Sequence, residues 1–388
     1  MPKCAILTNS LFSGGAEKVV STLINHFYKC GFEVNLICME KNDFFQVPKE
    51  INVIYLSGFK GDENGFLKFF YLFILSYRLK RIIKKERIEI VQSHVFRANY
   101  INILAKLLGS KHTVQIVNAG RMGRYLDKGF EGKINFKLIK YLYPKADLII
   151  SKSRGMQEEM RRILSFSDRQ KVIYNPYDIQ KIESLAKEEV EDFEFRSDKF
   201  YIVSVGRLIY PKKQDLLIKA VSKCEGRFEL LLIGDGYAKK DFMKLSKDLG
   251  VEKRVHFIGK VKNPFKYLKR CDVFVLGSES EGFPNVLVEA MICKVPVVST
   301  DCPSGPREIL SPKSDISSVL KDSIEIARYG ILVPVNSYEF IAEAVKIIAD
   351  DKDLKKSLSE NGYERAMSFK IEKISTIYKK TILNKEMI

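Results

Sequence analysis

Two glutamates eight residues apart, Glu281 and Glu289, stand on either side of a Gly-Phe-Pro-Asn turn. The turn follows an apolar run at 273–277 and opens a segment of helical pattern. Gly282 and Pro284 suit the turn, Asn285 is expected as the helix N-cap, and Val286 begins the first turn. Backbone N–H groups and the dipole at such a helix start favour a phosphate. One carboxylate before the helix and one about a turn inside it can hold different parts of one ligand, such as sugar hydroxyls and a ribose. Spacing alone also fits a glutamate in a turn and another on a helix face.

Three further clusters have chemistry to offer. Arg207 and Lys212 lie in Gly-Arg-Leu-Ile-Tyr-Pro-Lys-Lys, just past an apolar run ending at Gly206. An arginine fork and a lysine point charge at a strand end can clamp a diphosphate, although an ordinary basic loop has the same composition. Gly14 and Gly15 follow the first apolar run, and paired glycines let backbone N–H groups approach a phosphate closely. They form neither a GxGxxG nor a Walker loop, and Gly234-Asp235-Gly236 also fails GxGxxG because Lys239 stands at the third glycine position. His94 ends another apolar run, where an imidazole can bind a sugar hydroxyl or serve structure alone.

The elements that must position these residues are short Val/Ile/Leu-rich runs alternating with helical patterns. Strands are expected at 4–8, 33–39, 52–56, 88–93, 113–118, 147–150 and 172–174, then at 200–206, 228–234, 254–259, 272–277, 295–300 and 331–333. Runs so apolar fit strands buried on both faces of a parallel sheet. Helical patterns intervene, for example at 16–28 and 98–108, and the fold class is α/β. The alternation breaks at 177–198, which is polar and acidic. Two doubly wound, Rossmann-like domains are therefore expected: 1–178, a linker at 179–198, and 199–367. A helix over about 368–388 is expected to pack back on the first domain. Ligands of such sheets bind beyond the carboxyl ends of the strands, so the expected site is a cleft between the two domains.

Composition limits the class. The 388 residues, 46% hydrophobic and 29% charged, describe a folded chain too long for one ordinary core. Seven scattered cysteines show no CxxC and no His/Cys ligand spacing, which fits a reducing compartment and argues against a structural metal. The first residues read as a strand rather than a signal peptide, and no apolar run approaches the roughly 20 residues of a spanning helix. A net charge of +17 attracts nucleic acid, anionic lipid or phosphorylated substrates. Residues 78–87 carry six basic side chains and follow an aromatic run at 66–77. That is the pattern of an interfacial helix on anionic lipid, or of a helix with one buried and one solvated basic side. A second basic and aromatic stretch runs over 121–145.

Taken together and in order, these features resemble family 4 of the retaining glycosyltransferases, which have the GT-B fold. The likeness spans nearly the whole chain: SGGAEKVV, SHVFRANY, VIYNPYD, SVGRLIYPKKQDLLIKA, LLIGDGYAKKDF, VHFIGKVKNPF and SESEGFPNVLVEAMICKVPVVSTDCPSGPREIL. The last of these matches the family's E-x7-E motif through Glu281 and Glu289.

The resemblance implies a role for each residue. Arg207 and Lys212 would grip the donor diphosphate, with Lys213 standing where the family often has a small residue. Glu289 would bind the ribose and Glu281 the transferred sugar. Gly14 and Gly15 would lie under the phosphates, and His94 would meet sugar hydroxyls. Gly282, Phe283, Pro284, Asn285 and Val286 would frame sugar and phosphate. Catalysis would need no metal and no other cofactor, and Asp351-Lys352-Asp353, which spells DxD, is expected to be solvated near the C-terminus. The stretch 301–308 looks like that of bacterial members using UDP-linked hexoses or N-acetylhexosamines for surface polysaccharide. The acceptor would be a polyprenyl-diphosphate-linked saccharide. The enzyme would sit in the cytoplasm, peripheral on the inner face of the cell membrane. Residues 311–328 read as a local insertion that shapes the pocket. A nucleotide-sugar epimerase of the same shape is the alternative, or a basic nucleic-acid-binding protein, for which no helix-turn-helix, zinc-ligand or RNP pattern is present.

Overall fold

The apolar runs become strands because each is hydrophobic on both faces and needs a helical layer on either side. The computed structural model describes residues 2–12, 14–42, 44–58, 65–123, 129–165 and 168–383. Side chains at 66–70, residues 124–128 of the second basic stretch, and 384–388 of the last expected helix fall outside the described set.

The chain divides into two compact units, 1–177 with 369–388, and 178–368. In the first unit the strands are β1 (Cys4–Thr8), β2 (Val34–Cys38), β3 (Val53–Tyr55), β4 (Ile90–His94), β5 (Thr113–Asn118), β6 (Leu148–Ser151) and β7 (Gln170–Val172). They form one sheet in the order β3-β2-β1-β4-β5-β6-β7, parallel throughout. Its helices are α1 (Gly15–Lys29), α2 (Gly65–Glu86), α3 (Phe96–Leu107), α4 (Gly129–Leu142) and α5 (Arg154–Leu164).

The second unit contains α6 (Ile179–Ala186), β8 (Phe200–Val205), α7 (Gln214–Ser222), β9 (Phe228–Ile233), α8 (Lys239–Asp248), β10 (Val255–Gly259) and α9 (Phe265–Leu268). It continues with β11 (Val273–Leu276), α10 (Asn285–Ile292), β12 (Val297–Thr300), α11 (Pro306–Leu310), β13 (Glu325–Ala327), β14 (Gly330–Val333), α12 (Tyr338–Asp350) and α13 (Lys352–Met367). The sheet order is β10-β9-β8-β11-β12-β14-β13, with only β13 antiparallel to its neighbour. Last comes α14 (Ile371–Leu383), which returns to the first unit.

Successive residues of β1 show why the first unit needs helices on both faces. Ala5 and Leu7 join a core with Leu72, Leu75, Leu79 and Ile83 of α2, with α3, and with Ile139 and Leu142 of α4. Cys4 and Ile6 join the opposite core, built with Val20, Leu23 and Phe27 of α1 and Ile371, Ile374, Tyr378 and Ile382 of α14. The C-terminal helix is thus part of the first unit's core although the whole second unit separates it in sequence.

Residues 179–198, expected as a linker, belong to the second unit. Asp178 caps α6 by accepting from the Lys181 N–H (3.0 Å), and Ile179, Ile182 and Ala186 are buried. The polar composition hid a helix with one apolar face. The sequence reading also lacked β13, a three-residue edge strand inside the 311–328 insertion, whose pairing comes from β14 rather than from its own pattern.

Candidate active site

The second unit gathers its polar residues in the loops that leave the carboxyl ends of β8 and β11. The loop after β8 is braced by backbone contacts. Gly206 N–H donates to Ile233 O (2.9 Å), Leu208 N–H to Asp235 O (3.0 Å), and Ala238 N–H to Leu208 O (3.0 Å). Such contact requires glycine on the facing loop. A Cβ at Gly234 would stand 1.9 Å from Gly206 O, and one at Gly236 2.2 Å from Leu208 O. The Gly-Asp-Gly step fails as a dinucleotide fingerprint because its work is to let the Arg207 loop lie flat on it. Arg207 itself is exposed and has no ion-pair partner among the described residues. Its carbonyl accepts from Gln214 Nε2 (3.0 Å).

Five residues on, Lys212 Nζ donates to Glu281 Oε1 at 2.6 Å, both side chains being largely buried. The adjacent Lys213 pairs with Glu279, also at 2.6 Å, and Glu279 N–H donates to Pro211 O (3.2 Å). Two lysine–glutamate pairs therefore fasten the loop after β8 to the loop after β11. This divides the two lysines: Lys212 faces the E-x7-E glutamate and Lys213 a neighbouring one. Glu279 and its pairing with Lys213 were absent from the sequence reading.

The helix start differs from the expectation. Pro284 is the N-cap of α10, with φ −71° and ψ 104° and no side-chain cap bond, and Asn285 is the first helical residue. Proline carries no side-chain acceptor, so the N-cap residue itself does not cover the first N–H groups of α10. Phe283 and Pro284 are buried, and Gly282, Asn285 and Val286 are partly exposed. Glu289 is buried at the second turn. The turn is backed by Gly305, at φ 63°, where a Cβ would meet Pro284 Cδ at 2.7 Å and Gly282 O at 2.9 Å. Ser304 Oγ donates to Gly282 O (2.9 Å), and Thr300 Oγ1 to Ser278 O (2.6 Å).

Arg307, in the stretch read from sequence for sugar preference, is buried on Asp301 (Nη2 to Oδ2, 2.6 Å) and reaches Glu325 (2.8 Å) and Ser314 (3.1 Å). It anchors the 311–328 insertion. Asp351 of the DxD triplet caps α13, accepting from Leu354 N–H (2.8 Å).

In the first unit, Gly14 caps α1 and Gly15 begins it. The Glu17 carboxylate lies over Gly14, where an added Cβ would meet Oε2 at 2.1 Å. A carboxylate at a helix N-terminus is favoured by the dipole, so the chain's own charge occupies the place expected for a phosphate. His94 ends β4 and is buried; burial first, then the charge of Lys152, holds its pKa well below the usual imidazole value. The next residue, Val95, has φ 65°, a strained conformation for a β-branched side chain and one common at functional turns.

Comparison with known proteins follows the same division of the chain. Residues 13–181 match the model described as Glycosyltransferase Family 4, and residues 186–365 that of Glycosyl transferases group 1. A Campylobacter jejuni protein is 33% identical over 377 residues, 97% of this chain and 98% of its own. Its name is N-acetylgalactosamine-N,N'-diacetylbacillosaminyl-diphospho-undecaprenol 4-alpha-N-acetylgalactosaminyltransferase.

The chain belongs to the family 4, group 1 glycosyltransferases.

The fold of the glycosyltransferase is GT-B. Anabaena HepE, solved with UDP, superposes with a TM-score of 0.76 at 20% identity, covering 98% of this chain and 99% of its own. Sucrose-phosphate synthase from Thermosynechococcus elongatus gives 0.81 at 17% identity, covering 98% of both.

Proposed function

We propose that this glycosyltransferase moves a hexose or N-acetylhexosamine, with retention of configuration, from a UDP-sugar to a saccharide carried on a polyprenyl diphosphate. The observation that carries this reading is the Lys212–Glu281 contact on loops that also hold Arg207 and the start of α10. Cations and helix N–H groups gather where a departing diphosphate builds charge, with a carboxylate beside them for the sugar. The name of the Campylobacter relative favours an N-acetylhexosamine and a polyprenyl-linked acceptor within this reading. The UDP held by HepE makes UDP the first nucleotide to test.

Arg207 takes the diphosphate as a fork and Lys212 as a point charge, so the leaving group is neutralised by side chains and a helix end without a metal. Glu289 binds the ribose and Glu281 the sugar, within the frame of Gly282, Phe283, Pro284, Asn285 and Val286. His94 meets a sugar hydroxyl. Gly14 and Gly15 pass under the phosphates. On this reading Glu281, whose Oε1 is engaged by Lys212, holds the sugar rather than attacking it. The acceptor oxygen therefore attacks the anomeric carbon on the face the diphosphate vacates. As the bond to the donor phosphate breaks, a phosphate oxygen takes the acceptor's proton.

The test is a thermal-shift and calorimetry panel of UDP, GDP and their common sugars in EDTA, followed by NMR of the transferred sugar. UDP-sugars should stabilise the protein and the product should keep the donor's configuration. Selective stabilisation by GDP-sugars, an inverted product, or a trapped adduct on Glu281 would contradict the reading. Conversion of the free donor without acceptor would point to an epimerase.

A further inference from the structure

A buried polar line crosses β4 and β5 on the sheet face covered by α14, beside Lys152 and Lys171, which bond Tyr378 and Thr381 of that helix. Gln115 Nε2 donates to the backbone carbonyl of Thr381 in α14 (3.0 Å). A carbonyl only accepts, so this bond fixes which end of the Gln115 amide faces the helix. Gln115 Oε1 is thereby turned to accept from Gln92 Nε2 (3.0 Å). Gln92 Oε1 in turn faces His94 Nε2 (3.2 Å), and because that oxygen also only accepts, the hydrogen of the neutral ring sits on Nε2. Nδ1 is left with a lone pair. Gln92 and Gln115 are fully buried, so no solvent molecule competes to reorient the amides, whereas His94 at the strand end keeps 1% of its surface accessible. The imidazole stacks on Tyr378 of the same helix, with centroids 6.5 Å apart. The Tyr378 hydroxyl accepts from Lys152, and burial first, then the charge of Lys152, disfavours a second proton on the ring.

We propose that the Thr381 carbonyl, acting through Gln115 and Gln92 as positioning residues, sets the tautomer of His94 and so presents Nδ1 as an acceptor for a donor-sugar hydroxyl. The ligand half of this inference rests on the reading of His94 given above. The tautomer half stands on the hydrogen-bond chain alone. A helix remote in sequence thereby prepares a side chain at the end of β4, and the preparation selects a hydroxyl over an acceptor group on the sugar.

The experiment is long-range proton–nitrogen NMR of protein labelled at its four histidines, with His94 assigned by its loss in His94→Phe. At neutral pH the wild-type His94 should show a protonated Nε2 and a bare Nδ1. Gln115→Leu, and independently Gln92→Leu, should average the two nitrogens and raise the donor KM about five- to tenfold with a smaller change in kcat, the scale of one neutral hydrogen bond. A protonated Nδ1 in the wild type overturns the proposal without any variant. Persistence of the Nε2–H form in both variants overturns it as well, and so does an unchanged donor KM. Failure of the underlying reading shows separately, as full transfer activity in His94→Phe.

Discussion

Arg207 and Lys212 share a loop but differ in how much structure depends on them. Arg207 is exposed with no ionic partner among the described residues, whereas Lys212 pairs with a half-buried glutamate whose side chain is 11% exposed. Arg207→Ala should therefore lower turnover by about 10²–10³ while stability moves by less than about 0.5 kcal/mol. Lys212→Ala should cost similar turnover but also about 1–3 kcal/mol, because it leaves Glu281 without its partner. Glu289→Ala should weaken UDP-sugar binding. Steady-state kinetics, calorimetry and denaturant melts on the three variants separate these outcomes. Wild-type turnover in Arg207→Ala would remove it from the diphosphate site.

At the scale of elements, α14 is the piece with most at stake. It is held by apolar contacts and by Lys152, whose burial lowers its pKa from 10.5 to about 7 while its Nζ bonds Tyr378 and lies 4.8 Å from that ring's centroid. Between those two values the unfolded chain binds more protons than the folded one, so stability rises with pH, at up to about 1.4 kcal/mol per unit. The useful window is pH 7 to 8.5; the thiols of Cys271 and Cys302, raised by burial in the fold, begin to titrate in the unfolded chain at its upper end, equally in wild type and variant, so the difference between the two is read. Lys152→Met lacks this slope. The Tm of the variant minus that of wild type should fall steadily across the window. A constant difference would mean that Lys152 keeps its proton in the fold.

At the scale of the molecule, the +17 charge has a place to act. In α2, Phe73, Ile74 and Tyr77 are exposed beside exposed Arg78, Arg81, Lys84 and Lys85, while Leu72, Leu75, Leu79 and Ile83 are buried. On α4, Ile134 and Tyr141 are exposed near Lys137 and Lys140. Among the described residues no helix is long and apolar enough to cross a membrane. We expect sedimentation with phosphatidylserine vesicles that weakens as salt rises, since each basic residue near such a surface contributes about 1 kcal/mol. Phe73→Ser with Tyr77→Ser should reduce binding at constant charge. Equal binding to neutral vesicles would remove the electrostatic part, and an unchanged double variant would remove the aromatic part.

Local residue pattern alone specifies the elements and the E-x7-E turn. Strands buried on both faces must be Val/Ile/Leu runs, and a Gly-Phe-Pro-Asn turn between two glutamates is a local pattern. Most strand ends fall within one or two residues of expectation, as at 4–8, 113–118 and 228–233. What needed the tertiary structure were the facts made by partners distant along the chain. Lys212 is separated from Lys213 only by the glutamates 69 and 66 residues on that each one meets. The Gly234 and Gly236 requirement comes from the backbone of a neighbouring loop. Residues 179–186 are helical because an apolar side packs on α9 and α10 of the second unit. The polar line from Thr381 to His94 joins residues more than 260 positions apart, and hydrogen-bond direction across such a gap is a property of the packed core, not of the local sequence.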